Sequence, residues 1–80
     1  MRPEDITGLL HRDPFVPFRI YLASGKTYDI THPDLVMVLC SRIAIGVGAD
    51  PASGVLDHLD HCSLLLVERL EELRETPASG

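Results

Sequence analysis

The sequence contains no asparagine, glutamine or tryptophan, and only one of its basic residues is a lysine. Side-chain amides are a common means of reading nucleic-acid bases, and clustered lysine and arginine supply most of the affinity for phosphate. Here the seven basic residues are scattered, and twelve acidic residues bring the net charge to −5. Nucleic acid is therefore disfavoured as the main partner.

Long apolar runs and cysteines are also scarce. No stretch approaches the roughly 18 apolar residues that a membrane-spanning helix needs, and the acidic start, Met1–Asp5, is unlike a signal peptide. The two cysteines, Cys40 and Cys62, could form a single bridge, and no pattern marks a secreted chain. The composition predicts a cytoplasmic protein with free thiols, no membrane partner and no cofactor.

Eighty residues are enough for one domain but not for a large core. A chain of this length buries only about 60% of its extended surface, so its stability is marginal without help. Self-association is one way to bury more apolar area. We expect a single domain over residues 1–76 and a flexible tail over 77–80.

A short helix is predicted over about residues 3–11. Pro3 followed by two acids suits a first helical turn, because proline lacks the amide that would be unpaired there and the helix dipole favours acids. Ile6, Leu9 and Leu10 then share one face at helical spacing. A helix this short must dock on something else in the fold.

A hairpin is predicted after the helix. Phe18, Ile20 and Leu22 alternate with polar residues, which is typical of a strand with one buried face. The segment Ala23–Lys26 supplies a turn with a glycine, and alternation resumes from Thr27.

Two fully apolar runs, 35–39 and 43–47, predict strands that are covered on both faces or that a partner covers at an edge. The segment Gly48–Gly54 predicts a loop. The segment after it has two interpretations, a helix over 64–75 capped by Ser63 or a strand over 65–70. Its leucine and glutamate content favours helix by propensity, whereas the pattern of the whole chain favours the strand.

Taken together, these elements predict a mainly β (α+β) fold, with a short N-terminal helix and a bent, antiparallel, five-stranded small barrel of the Sm/SH3-like kind. The helix followed by Ile20-Tyr21-Leu22-Ala23-Ser24-Gly25-Lys26 resembles the start of the bacterial Sm-like RNA chaperones of the Hfq family. Leu59-Asp60-His61 lies where that family carries Tyr-Lys-His before its final strand. The resemblance implies the barrel, ring assembly and RNA binding, but Asp60 stands where the phosphate-facing lysine would be.

A second resemblance is to small, uncharacterised bacterial proteins that share a Pro-Phe-x-Pro-Phe-Arg-Ile segment and a following His-Pro-Asp/Glu. Here these are Pro14–Ile20 and His32–Asp34. This group implies no activity.

The function predicted from these features is a non-enzymatic interaction module that self-associates through exposed strand edges. The reason is the surplus of apolar strand in a chain too small to bury it alone. The partner is a second copy of the chain, with another protein as a further possibility. The predicted interface residues are Val36, Val38, Ile43, Ile45, Leu66 and Leu70.

Two alternatives stay open. The first is a divergent Sm-like RNA-binding protein, with contacts from His61, Arg19, Lys26 and Arg42. The second is a small metal-binding module that uses His58, His61 and Cys62, since imidazole and thiolate are zinc ligands. A spacing of three would place His58 and His61 on opposite faces of a strand, which is poor geometry for a shared ion. No catalytic residue is predicted.

Overall fold

The structure is a computed structural model that describes residues 1–50 and 52–73. In those ranges the chain forms one helix, α1 (Pro3–Leu10), and six strands. The strands are β1 (Phe18–Leu22), β2 (Thr27–Ile30), β3 (Val36–Val38), β4 (Arg42–Val47), β5 (His58–Ser63) and β6 (Val67–Glu72). Two 3₁₀ turns, Pro33–Leu35 and Leu64–Leu66, precede β3 and β6. The fold is therefore mainly β with a short N-terminal helix, as predicted.

Helix α1 begins and ends close to the positions that its sequence predicts. Asp5 accepts a hydrogen bond from the backbone amide of Arg2 at 3.1 Å, which satisfies one of the amides left free at a helix start. Ile6 and Leu10 are buried on one face of the helix. The helix therefore depends on packing against the sheets rather than on its own length.

Sheet I consists of β2, β1 and β6 in that order, all antiparallel. Phe18, Ile20 and Leu22 of β1 are buried, and the residues between them are half-buried. This confirms the predicted hairpin. It also confirms the strand interpretation of the C-terminal segment, although the strand begins at Val67 and the three leucines before it form a 3₁₀ turn.

Sheet II consists of β3, β4 and β5, again antiparallel. Ile45 of β4 lies opposite Val36 and Asp60, while Ala44 lies opposite Met37 and His61. Because side chains alternate along a strand, the first group and the second group are on opposite faces of the sheet. Val36 and Ile45 are buried, whereas Met37 and His61 on the edge strands are exposed, although the small Ala44 of the central strand is buried as well.

One apolar core joins the helix and the two sheets. Its buried members are Ile6, Leu10, Phe18, Ile20, Leu22, Ile30, Val36, Ile43, Ile45, Cys62, Leu64 and Val67. Phe15 packs edge-on against Phe18, with ring centroids 6.1 Å apart. Within the described residues, no helix is both long and apolar enough to span a membrane.

The strand count differs from the prediction. The described residues form two three-stranded sheets rather than one closed five-stranded barrel. One reason is that the segment containing Pro33 separates β2 from β3, since proline cannot donate to a ladder. The other is that His58–Ser63, which the prediction does not count among its five strands, pairs along its whole length with β4. The predicted tail at 77–80 and the domain end at 74–76 lie outside the described residues.

Candidate functional site

A surface groove lies where the start of the chain, the turn between β3 and β4, and the end of β5 meet. Arg2, Cys40, Arg42, His61 and Leu65 are among the residues that line it. We call it the Arg42 groove. Its lining comes from segments that are far apart in sequence, so no local sequence motif predicts it.

Strand register places two of its side chains together. Arg42 lies opposite Ser63, and His61 lies opposite Ala44, two residues further along β4. Arg42 and His61 are therefore diagonal neighbours on one face of sheet II, within reach of the same ligand group. Two backbone hydrogen bonds fix this end of the sheet, from the Leu39 amide to the Arg42 carbonyl at 2.8 Å and from Leu64 to Ser41 at 2.9 Å.

The charges of the groove are not neutralised within the protein. The other basic residues of the described ranges have partners: Arg12 pairs with Glu72, Arg19 with Asp29 and Lys26 with Asp60, and Arg69 lies 3.8 Å from the centre of the Tyr21 ring. Arg2 and Arg42 make neither an ion pair nor a ring contact with any described residue. In a chain of net charge −5, the two guanidinium groups that lack such a partner in residues 1–50 and 52–73 thus lie in one groove.

The structure brings together two of the four predicted nucleic-acid contacts. Arg42 and His61 line the Arg42 groove, whereas Arg19 and Lys26 lie elsewhere. Arg19 makes two hydrogen bonds to the Asp29 carboxylate, at 2.6 Å and 3.2 Å, and this contact lowers the pKa of Asp29 below its usual range. Arg19 is thereby used within sheet I.

Lys26 belongs to a second group of polar side chains, which we call the Asp60 cluster. The Tyr28 hydroxyl donates to Asp60 Oδ2 at 2.5 Å, and Lys26 Nζ lies 3.4 Å from the same oxygen. His58 Nε2 is 3.3 Å from Asp60 Oδ1, and His58 Nδ1 is 3.0 Å from Asp57. The cluster connects β2 of sheet I to β5 of sheet II.

The same contacts set the acidity of two members of the Asp60 cluster. The hydroxyl of Tyr28, followed by Lys26, lowers the pKa of Asp60 because both stabilise the carboxylate, and burial opposes them. Burial raises the pKa of Tyr28, and its hydrogen bond to Asp60 adds to the effect. Tyr28 therefore stays a neutral donor and Asp60 an ionised acceptor at neutral pH.

The three candidate metal ligands do not converge. His58 and Cys62 share one face of β5, and His61 lies on the other. Cys62 is buried, His61 is exposed, and both cysteines are free. In the ranges 1–50 and 52–73, no group of three histidine, cysteine or acidic side chains could hold a metal ion.

The six predicted interface residues fall into two groups. Val36, Ile43 and Ile45 are buried in the core, because register places them on the inner face of sheet II. Val38 and Leu70 are half-buried, and Leu66 is exposed. The first three side chains are therefore used within the chain, and only the other three reach its surface.

Sequence reasoning missed the apolar outer face of sheet II. Met37 of β3 is 64% exposed and Leu59 of β5 is 52% exposed, on either side of Ala44 and Gly46 in β4. Leu56 packs so closely on Gly46 that a Cβ there would lie 2.7 Å from its Cδ1 atom. The available signal was the small residue at every second position of β4.

No known protein family, curated protein or solved structure matches this chain. The resemblance to the Sm-like RNA chaperones therefore rests on the strand and turn at 20–26 and on His61.

Proposed function

We propose that this chain is a non-enzymatic interaction module of the bacterial cytoplasm that self-associates through the strand edges of sheet II. The observation that carries the proposal is the position of Met37 and Leu59. Both are exposed, both lie on the outer face, and each belongs to a strand that ends the sheet. An open edge with apolar side chains is a template for pairing with another chain.

The two sheets differ in what they expose. On sheet I the side chains between the buried positions are tied to one another, as in Arg19 with Asp29 and the Tyr21 hydroxyl with Glu71. These paired polar and charged side chains are well solvated without a partner protein. On the outer face of sheet II, Arg42 and His61 lie toward one end, and Met37 and Leu59 are exposed beside the small residues of β4. Association through this apolar part of sheet II therefore gains burial of apolar area.

The proposed interface combines predicted and newly identified residues. Leu66 remains from the sequence-based set, and Met37 and Leu59 join it. Val38 and Leu70 pack partly against the core, and Leu70 belongs to sheet I. Cys62 and His61 are neighbours in sequence but lie on opposite faces of β5, so this pair gives no support to a catalytic role. A thiol and an imidazole so placed cannot form the hydrogen bond that nucleophilic catalysis requires.

The proposal extends to a small barrel of the Sm/SH3-like kind. Only five residues separate Ile30, the end of β2, from Val36, the start of β3, and the 3₁₀ turn at Pro33–Leu35 lies between them. Counted as one interrupted strand, β2 and β3 give a five-stranded chain around one core. The hydrogen bond from Tyr28 to Asp60 supports this arrangement, because it joins the two sheets.

The mass of the protein in solution tests self-association. Size-exclusion chromatography with light scattering should give a multiple of the chain mass for the wild type and a lower mass for Leu59→Glu. Val55→Glu is the matched control, because Val55 is 66% exposed but lies in the loop before β5. A wild type that is monomeric at micromolar concentration, or equal effects of the two variants, would overturn the proposal.

RNA binding is the second candidate function, and Arg42 and His61 in the Arg42 groove are the observation that favours it. Binding that depends on phosphate contacts weakens steeply with salt. Retention of uridine-rich or adenine-rich RNA at low salt, lost on adding salt, would support this function. No retention at low salt would dispose of it.

A further inference from the structure

The Arg42 groove offers two guanidinium groups without a carboxylate. Arginine presents its N–H donors in a planar fork that matches the two oxygens of a carboxylate. Elsewhere in this protein that geometry is in use, since Arg19 holds Asp29 through two hydrogen bonds. Arg2 and Arg42 have no such partner among the described residues, and both are exposed. The groove is thus complementary to an anion that the chain itself does not supply there.

The groove also has an aliphatic side. Leu65, in the 3₁₀ turn that follows β5, is 89% exposed, and Met1 and Pro3 line the same groove. A free anion gains nothing from these groups. A ligand that carries a carboxylate next to an aliphatic side chain would use both the charged and the apolar parts of the lining.

We propose that the Arg42 groove binds a short acidic segment of another protein, in which glutamate or aspartate alternates with aliphatic residues. Arg42 and Arg2 hold the carboxylates, His61 lies beside Arg42 on the same face of sheet II, and Leu65 packs against an aliphatic side chain of the ligand. His61 lies on the same outer face of sheet II as Met37 and Leu59, so the groove borders the self-association surface. Arg2, Arg42 and Leu65 lie outside that surface, and the groove needs no assembly to be complete.

Charge and lining favour a peptide over a nucleic acid. Single-stranded nucleic acids stack their bases mainly on large aromatic side chains, and the described lining of the groove contains His61 but no phenylalanine, tyrosine or tryptophan. Glu4 and Asp5 follow Arg2 and Pro3 of the lining and repel any anion that extends beyond the groove, so only a short acidic ligand fits. Two carboxylates on a short segment need only the two arginines.

The test uses a fluorescein-labelled peptide of alternating leucine and glutamate, with binding followed by fluorescence anisotropy on the full chain. We expect Arg42→Gln to weaken binding roughly tenfold or more, the usual range for a charge-assisted hydrogen bond. Arg69→Gln is the matched control, because it removes the same charge from β6, outside the groove, and should leave the affinity unchanged. Leu65→Ser should weaken binding while leaving the charge intact.

Three further arms decide between ligands. A peptide of alternating leucine and lysine should not bind, and inorganic phosphate should compete only weakly. Oligouridine that binds as tightly as the acidic peptide and responds equally to Arg42→Gln would replace the proposal with nucleic-acid binding. Unchanged affinity in Arg42→Gln, with circular dichroism showing a folded protein, would overturn it. Light scattering on the same samples reports self-association separately, so the two proposals can fail independently.

Discussion

Tyr28 and Asp60 join the two sheets through a hydrogen bond of 2.5 Å between the tyrosine hydroxyl and the carboxylate. Tyr28 lies on β2 and Asp60 on β5, at strands that share no backbone hydrogen bond. Asp60 is also the residue that departs from the Tyr-Lys-His pattern of the Sm-like chaperones. In this chain the position serves the fold, because its carboxylate accepts from a side chain of the other sheet.

Removal of the Tyr28 hydroxyl should destabilise the protein. Tyr28→Phe keeps the ring and deletes the donor, and the loss of a typical hydrogen bond costs about 1 kcal/mol of the free energy of unfolding. Urea denaturation at fixed protein concentration measures this change, because self-association would otherwise shift the apparent stability.

Tyr21→Phe provides the matched control for that variant. Its hydroxyl also donates to a carboxylate, that of Glu71, but the two residues lie on adjacent strands of sheet I and the bond is exposed to solvent. We expect a smaller loss of stability than for Tyr28→Phe. Equal losses in the two variants would show that the hydrogen bond between the sheets stabilises the fold no more than the exposed bond within sheet I.

Lowering the pH should reduce the free energy of unfolding of the wild type more than that of Tyr28→Phe. The folded-state pKa of Asp60 lies below its ordinary value, chiefly because Tyr28 donates to it. A carboxyl of this kind stabilises the fold above its unfolded pKa, and the stabilisation is lost as the pH falls through the folded pKa. Urea unfolding between about pH 5 and pH 3 should therefore show a steeper decline for the wild type. Parallel declines would contradict the assigned cause.

The core and the interface should respond differently to truncation. Ile43→Ala removes a fully buried side chain and should cost about 2–5 kcal/mol of unfolding free energy. Met37→Ala shortens an exposed side chain on the outer face of sheet II, so it should change folding stability little while weakening self-association. Chemical denaturation and light scattering on both variants measure the two effects. If Ile43→Ala weakened self-association but left the free energy of unfolding unchanged, Ile43 would belong to the interface and not to the core.

Two glycines with the same backbone conformation should differ in their tolerance of alanine. Gly48 and Gly54 both have φ of 73°, where a side chain costs about 1–2 kcal/mol. A Cβ on Gly48 would also lie 2.7 Å from the Cβ of Asp57, whereas nothing lies within 4 Å of one on Gly54. Thermal unfolding should rank Gly48→Ala as the less stable variant, and the reverse order would contradict the described loop geometry.

The sequence predicts the helix, the hairpin and the two apolar strands because their periodicity is strong. Strand β5 is harder to predict, since two of its inward positions carry His58 and Asp60, whose partners come from the Asp60 cluster and not from the core. The segment that forms β6 has helical propensity, but antiparallel pairing with β1 decides its conformation. Propensity is a weak guide where tertiary contacts are available.

The Arg42 groove was only partly within reach of the sequence. Arg42 and His61 are predicted contacts, but Arg2 is separated from them by forty residues or more, and only the fold brings it near. Arg19 and Lys26 look equivalent to Arg42 in the sequence. The structure distinguishes them, because Arg19 and Lys26 form ion pairs with carboxylates, whereas Arg42 has no such partner among the described residues.

Self-association through sheet II is the central claim, and the mass of the wild-type chain across a concentration series tests it most directly. Light scattering should give a multiple of 8.8 kDa at micromolar concentration, falling toward the monomer on dilution or in Leu59→Glu. A constant mass of 8.8 kDa over the whole series would contradict the claim.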